Sequence, residues 1–254
     1  MTNNITEIPK ISKRFEVFNK VEDQEATLYM YGSIGKGWYS DISSKDVRYQ
    51  LEGITAKTIH IHVNSPGGDV FESIAIHNLL KNHKSEIIVH IDGLAASGAS
   101  VIAMAANKII MPKNTMMMIH KAWTFAAGNS KELHKVADDL EKTDTAVTES
   151  YTTRFIGERS DLERLLEEET WLTAQECKVL GFCDEIVDEI ENPEEEQKEQ
   201  VSTKEEILNK YSKNIVAQTT NEKKPILVKN EEENKVANAN KLFQFLNSFS
   251  QTQS

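Results

Sequence analysis

Hydrophobic residues recur with two different periods through residues 26–188. They alternate with polar residues over 26–35 and 58–64 and form a short, mostly apolar run over 86–91, which predicts three strands. They recur at steps of three and four over 70–83, which predicts a helix between the second and third of these strands. Strands that alternate with helices predict an α/β fold, in which helices cover a largely parallel sheet.

The segment 93–106, GLAASGASVIAMAA, is uncharged and rich in small residues. It follows a strand, and its composition predicts a buried helix entered near Ser97. One reading is that Ser97 and its neighbours simply pack a close helix crossing. The other is that the neighbours are small because a substrate must reach the hydroxyl. A helix N-terminus is consistent with the second reading, because its free backbone N–H groups favour negative charge.

The longest helical pattern begins at Ser130, a suitable N-cap, and ends near Gly157. Its hydrophobic residues recur at steps of three, four or seven, and they are Leu133, Val136, Leu140, Val147, Tyr151 and Phe155. A helix of about 26 residues is about 39 Å long at 1.5 Å per residue, which exceeds the width of a small domain. We therefore expect part of this helix to project from the domain and pack on another subunit.

The composition of the chain changes near residue 188. Beyond it the chain is dense in acidic residues and poor in large apolar ones, so it cannot bury enough surface to offset the entropy of ordering. We therefore divide the chain into a loosely ordered lead at 1–25, a globular domain at 26–188 and an acidic, mostly disordered tail at 189–254.

Charge and cysteine content exclude several classes of function. The net charge of −11 argues against nucleic-acid and membrane partners. Cys177 and Cys183 are too few for a disulfide framework and lack metal-site spacing, which favours a cytoplasmic protein. His60 and His62 share a strand face, but no cysteine or nearby acid completes a metal site. No segment reads as a signal peptide or membrane span, and we expect no metal ion and no cofactor.

Three further stretches carry residues with catalytic chemistry. The glycines of NSPGGD at 64–69 can turn their N–H groups toward a ligand, or form an ordinary turn. His120 ends the apolar run 115–119, where it is either a base for a serine or a structural residue. The acidic stretch at 162–174 includes Glu169, which either orients an imidazole or belongs to a solvated helix end.

The order and spacing of these pieces resemble the Clp peptidase family of serine proteases, over residues 26–188. The pieces are NSPGGD at 64–69, GLAASGA at 93–99, MIH at 118–120 and ETWLTAQECKVLGFCDEI at 169–186. The glycine pair and the Ala-Ala-Ser piece also occur in the wider crotonase-like superfamily, and the addition of His120 is more specific for the peptidases. The resemblance implies superhelical β-α-β units with a protruding long handle helix.

The same resemblance implies a role for each matching residue. Ser97 matches the nucleophile and His120 the general base. The backbone N–H groups of Gly68 and Gly98 match the oxyanion hole, which stabilises the negative oxygen of the tetrahedral intermediate. At the third triad position the family has aspartate where this chain has Glu169. Glutamate is one methylene longer, so it can hold the imidazole tautomer if its backbone sits slightly further back.

The Glu-Thr-Trp-Leu-Thr-Ala segment, the Ser-Pro-Gly-Gly-Asp turn and the long acidic tail are similar to the Clp-related head maturation proteases of tailed phages and prophages. That similarity implies a homo-oligomeric serine endopeptidase that trims scaffold and capsid precursors within the assembling procapsid, in the host cytoplasm.

Three alternatives stay open. The first alternative is a housekeeping Clp subunit that receives unfolded chains from a AAA+ ATPase. The second is a crotonase-superfamily acyl-CoA hydratase or isomerase, which would not need Ser97 and His120 together. The third is an inactive ring subunit or scaffold.

Overall fold

The fold is α/β, in a computed structural model that describes residues 11–20, 24–37, 40–187 and 203–211. The strands are β1 (Arg14–Lys20), β2 (Glu25–Tyr31), β3 (Thr58–Ser65), β4 (Glu86–Ala96), β5 (Lys108–Pro112), β6 (Met116–Ile119), β7 (Thr170–Thr173) and β8 (Glu185–Val187). The helices are α1 (Ser44–Glu52), α2 (Val70–Lys81), α3 (Gly98–Ala103), α4 (Ser130–Thr152), α5 (Arg159–Glu167) and α6 (Ala174–Leu180). A further helix spans 204–211.

One sheet joins all of these strands, with β1-β2-β3-β4-β5-β8 as its main order and β6 and β7 off this path. Along the main order, the pairs from β2 onward are parallel, and β1 is antiparallel to β2. The sequence prediction of a largely parallel sheet is therefore confirmed. Parallel neighbours need crossover connections, and the helices between the strands provide them.

The long strand β4 has two different neighbours along one side. Its first half pairs with β5, and its last residues, Leu94 to Ala96, pair in parallel with β6. β6 in turn pairs antiparallel with β7. The hydrophobic pattern predicts that this strand ends at residue 91, whereas it continues to Ala96 because β6 supplies hydrogen bonds there. The helix α3 that follows is correspondingly short.

β1 adds residues of the predicted lead to the sheet. It pairs with β2 along its whole length, from Arg14 opposite Tyr31 to Lys20 opposite Glu25. Phe15 and Val17 pack against the core, while Glu16 between them is exposed. An edge strand buries only one face, so its hydrophobic signal is weaker than that of a central strand. The other described residues of the lead precede β1 or form the start of β2.

The helix at 204–211 lies within the predicted tail and packs on the domain. Ile207 and Leu208 are buried in the core cluster. The Tyr211 hydroxyl donates to the carbonyl of Trp171 in β7 at 2.8 Å, and Lys210 pairs with Glu176 of α6 at 2.7 Å. This short segment is thus a packed helix within a tail that the sequence predicts to be mostly disordered. The remaining tail lies outside the described residues, and the division of the chain into lead, domain and tail stays a prediction.

The helix α4 begins at Ser130, where the helical pattern begins, but its N-cap is Asn129 instead of the predicted Ser130, and it ends at Thr152, before the predicted stop at Gly157. Asn129 and Glu132 form a capping box, in which each side chain accepts a hydrogen bond from the other residue's backbone N–H. The buried residues of α4 lie in its last turns, and they are Val147, Thr148, Ser150 and Tyr151. The earlier turns are exposed or half-buried. Packing of that part on another subunit stays a prediction.

The face of the sheet that carries His60 and His62 of β3 holds a group of rings, whereas the residues of β3 that alternate with them are buried on the other face. His60 Nδ1 lies 2.9 Å from His90 Nε2, and His62 Nδ1 lies 2.8 Å from an Asp92 carboxylate oxygen. The rings of His62 and His90 stack with centroids 4.6 Å apart. Within the part of the chain that the structure describes, no group of three or more potential ligands is arranged to bind a metal ion.

No helix among the described residues has both the length and the apolar character that crossing a membrane requires.

Candidate active site

The pairing of β4 with β6 brings Ser97 and His120 together. Ala96 is the register partner of Met118, and the Ser97 N–H donates to the Met118 carbonyl at 2.9 Å. The two chains therefore leave the sheet side by side, one at Ser97 and the other at His120. His120 Nε2 lies 2.7 Å from Ser97 Oγ, across 23 positions of sequence. A hydrogen bond of this length joins the two side chains that the sequence analysis assigned as nucleophile and base.

The backbone of Ser97 is strained. Its φ of 53° and ψ of −125° lie in a region that L-residues other than glycine rarely adopt. Such a conformation costs about 1–3 kcal/mol and persists only where the surroundings determine it. The Ser97 carbonyl accepts hydrogen bonds from the backbone N–H groups of Ser100 and Val101, at 3.0 and 3.3 Å. The strained turn aims the hydroxyl at His120 while α3 begins behind it.

The glycine turn after β3 is fixed against the loop at Ile34. The Ile34 N–H donates to the Gly67 carbonyl, and the Asp69 N–H donates to the Ile34 carbonyl, each at 2.8 Å. Gly68 between them has a φ of +149°, and a Cβ there would lie 1.9 Å from the Ile34 oxygen. Only glycine fits this position, because any side chain would collide with backbone.

Gly98 lies against the same turn. A Cβ on Gly98 would lie 2.1 Å from Ser73 Oγ and 3.6 Å from the Gly68 nitrogen. The backbone N–H groups of Gly68 and Gly98 make no backbone–backbone hydrogen bond with any described residue. The structure thus brings Gly68, Gly98, Ser97 and His120 close together, and their catalytic roles stay a prediction.

Burial lowers the pKa of His120 below its ordinary value. Removal of water disfavours the charged imidazolium, and this is the largest effect on the ring. The negative charges of Glu169 and then Asp144 act in the opposite direction and raise the pKa. The net effect favours the neutral imidazole over the imidazolium. A neutral Nε2 can accept the hydroxyl hydrogen of Ser97.

Within the described residues, the only hydrogen bond of the His120 ring is the one to Ser97, and no carboxylate forms an ion pair with it. Glu169 follows the C-cap residue Glu168 of α5 and has a φ of 49°. Its charge acts on His120 through space, so its assignment as the third triad residue stays a prediction.

Asp144 of α4 is a second acidic residue near His120, and the sequence analysis did not identify it. Asp144 Oδ1 accepts the N–H of Ala122 at 2.7 Å, just beyond His120 in the chain. A sequence signal for it exists. Asp144 stands between Leu140 and Val147 at steps of four and three, where the helical pattern calls for an apolar residue.

The comparison with known proteins agrees with this geometry. A family model described as Clp protease matches residues 12–190. An ATP-dependent Clp protease proteolytic subunit of Bacteroides fragilis is 30% identical over 138 residues, which cover 52% of this chain and 64% of the relative. A subunit of the same name from Bdellovibrio bacteriovorus is 29% identical over 138 residues, covering 52% of this chain and 65% of the relative. The chain therefore spans less than two thirds of the length of these relatives.

The electrostatics of His120 give a test by histidine NMR titration. The midpoint for His120 is expected below the ordinary value of about 6.5, because burial disfavours its protonated form. Glu169→Gln is expected to lower the midpoint further, and Asp144→Asn to lower it by a smaller amount, because each removes a negative charge that stabilises the imidazolium. Asp138→Asn, an exposed change on the same helix, is the matched control and is expected to leave it unchanged. A rise of the midpoint in either test variant would contradict the assignment.

Proposed function

This chain belongs to the Clp protease family, and we propose that it is a serine endopeptidase that cleaves peptide bonds through an acyl-enzyme. The observation that carries the proposal is the 2.7 Å contact between Ser97 Oγ and His120 Nε2. That contact lies beside two glycine N–H groups, in a site where the imidazole is kept neutral. A nucleophile, a base and hydrogen-bond donors for a developing negative charge are the parts that acyl transfer requires.

The first step forms the acyl-enzyme. His120 Nε2 takes the hydroxyl proton as Ser97 Oγ bonds to the carbonyl carbon of the substrate. The electron pair of the carbonyl double bond moves onto its oxygen. When this tetrahedral intermediate collapses, the carbon–nitrogen bond breaks and His120 gives its proton to the departing amine. The acyl group is then an ester of Ser97.

The second step returns the enzyme to its starting state. A water molecule gives a proton to His120 as its oxygen bonds to the ester carbon. The new tetrahedral intermediate collapses by breaking its bond to Ser97 Oγ, which takes the proton back from His120. The N-terminal fragment of the substrate leaves as a carboxylic acid. Each proton that His120 accepts is released within the same half-reaction, so no cofactor is required.

The N–H groups of Gly68 and Gly98 stabilise the negative oxygen in both intermediates. They are the donors of the glycine turn and of the first residue of α3, and no backbone carbonyl among the described residues competes for them. Donors that are fixed before the reaction do not have to reorganise as charge develops. The hydrogen bonds of Gly67 and Asp69 with Ile34 support this role, since they hold the turn in place.

Two alternatives from other classes fit these observations less well. An acyl-CoA hydratase or isomerase does not need a serine hydroxyl hydrogen-bonded to a histidine, and such a bond is present here. An inactive ring subunit has no use for the strained backbone at Ser97, which costs stability.

As the substrate we propose scaffold and capsid precursors of a phage head, cut by a homo-oligomeric ring. The Glu-Thr-Trp-Leu-Thr-Ala segment and the acidic tail support this proposal. The main alternative is a subunit that degrades unfolded chains delivered by a AAA+ ATPase. One observation favours that alternative, because the relatives from Bacteroides fragilis and Bdellovibrio bacteriovorus are both named ATP-dependent proteolytic subunits.

Removal of either side chain of the pair tests the peptidase proposal. Ser97→Ala is expected to abolish labelling by a fluorophosphonate probe, because no nucleophilic oxygen remains. His120→Ala is expected to slow labelling and peptide hydrolysis by on the order of 10⁴-fold or more, as knockouts of triad members do. Ser160→Ala and His134→Ala, at exposed positions, are the controls. Labelling of Ser97→Ala at the wild-type rate would remove the nucleophile assignment.

A comparison of two glycines tests the oxyanion site. Gly68→Ala is expected to reduce the labelling rate by about 100-fold, as loss of one oxyanion donor does. Its Cβ would collide with Ile34 and displace the turn. Gly37→Ala is the matched control, because its φ of +118° is also unfavourable for alanine but no atom lies within 4 Å of the added Cβ. Equal effects of the two substitutions would show that backbone strain alone is responsible.

The substrate proposal is tested by co-expression. Capsid and scaffold proteins are taken from the genes that adjoin the gene of this chain, where the proposal expects them, and are produced with the full chain and, as the matched control, with Ser97→Ala. Shortening of those proteins by the active chain alone is expected, without added ATPase. If the head proteins stay intact while fluorescent casein is degraded only with a AAA+ unfoldase and ATP, the housekeeping alternative replaces the phage proposal.

A further inference from the structure

Ser100 has a fully buried hydroxyl with three oxygen neighbours. Its Oγ lies 2.6 Å from the Ser97 carbonyl oxygen and 3.0 Å from the Met118 carbonyl oxygen. The third neighbour is the Tyr151 hydroxyl of α4, at 2.7 Å. Alanine would fill nearly the same volume here among the small residues of α3. The hydroxyl is therefore present for its hydrogen bonds.

The hydrogens of this cluster can be assigned. The two carbonyls only accept, and the Ser100 hydroxyl has one hydrogen to give them. Tyr151 must then donate to Ser100 Oγ, because the cluster would otherwise leave its buried phenol without an acceptor. Burial raises the pKa of Tyr151, so the phenol keeps its proton. The hydrogen bonds thus run from Tyr151 to Ser100 and from Ser100 to the two carbonyls.

Both carbonyls belong to the backbone that holds the proposed catalytic pair. One is the carbonyl of Ser97 itself, whose strained peptide gains a hydrogen bond. The other is the carbonyl of Met118, which also accepts the Ser97 N–H at 2.9 Å and lies two positions before His120. Ser100 therefore joins the ends of β4 and β6 at the point where the two side chains leave the sheet.

We propose that Ser100 and Tyr151 are positioning residues that hold Ser97 Oγ in hydrogen-bonding contact with His120. The kinetic consequence of this role rests on the proposed function, because it requires Ser97 to be the nucleophile. Tyr151 fixes the direction of the Ser100 hydroxyl, and Ser100 fixes the two backbone segments relative to each other. Neither residue touches the substrate. Their loss changes how often Ser97 and His120 are in contact.

The kinetic test compares Ser100→Ala, Tyr151→Phe and the double variant. Ser100→Ala is expected to slow fluorophosphonate acylation about tenfold or more, and Tyr151→Phe about threefold or more. Hydrolysis of a peptide substrate is expected to lose kcat with KM unchanged. The double variant is expected to match Ser100→Ala, because Tyr151 acts through Ser100 and the two effects are not additive.

The matched control is Ser85→Ala. Ser85 also donates a hydrogen bond from a buried side chain to a backbone carbonyl, that of Ala56, but at the start of β4. It is expected to lower the melting temperature about as much as Ser100→Ala without slowing acylation. Tyr151→Phe removes one oxygen and no packing volume, so it keeps the test valid if Ser100→Ala folds poorly.

A second readout does not depend on turnover. The bond from the Ser97 hydroxyl favours the neutral form of His120, so weakening it is expected to raise the NMR midpoint of His120 in both variants. If both variants keep the wild-type acylation rate and the wild-type midpoint, the positioning role is wrong. If the wild-type chain is not acylated but the midpoint still rises in both variants, the peptidase proposal fails and the positioning role stands.

Discussion

The parallel pairing between the last residues of β4 and β6 is the constraint on which the site depends. It sets Ala96 opposite Met118, so that the next residues of both strands leave the sheet together. A slip of one residue would turn every side chain of β6 to the other face, and the imidazole of His120 with them. The hydrogen bond from the Ser97 N–H to the Met118 carbonyl is the last one of this pairing. The chain enters its strained turn at this same residue.

The hydrophobic pattern alone did not single out the residues that meet at this point. It shows that His120 ends an apolar run and that a glycine turn follows a strand, but each of these also fits an ordinary structural role. The order and spacing of the pieces, through their resemblance to the Clp peptidases, assigned Ser97, His120 and the two glycines. What could not be predicted depends on contacts between distant segments. β4 extends through Ala96 only because β6 lies beside it, and no pattern within residues 93–106 records that partner. The edge strand β1 was missed for a related reason, because it buries only one side.

The helix α4 influences the site more than its position in the chain indicates. Asp144 and Tyr151 are seven residues apart, about two turns, so they share one face. Asp144 acts on His120 by its charge and holds the N–H of Ala122, and Tyr151 reaches α3 through Ser100. One helix face therefore acts on both halves of the pair, on His120 by the charge of Asp144 and on Ser97 through Ser100. Glu169, which lies between α5 and β7, adds a second negative charge near the imidazole.

The ring cluster on the sheet face that carries His60 and His62 has a consequence for the response of the fold to acid. His60 and His90 share one hydrogen bond between ring nitrogens, which requires at least one nitrogen without a proton. Burial, followed by the neighbouring His62 and His60, lowers the pKa of His90 to about 4. Unfolded, the same side chain binds a proton near pH 6.5. Acidification therefore favours the unfolded chain progressively across that interval.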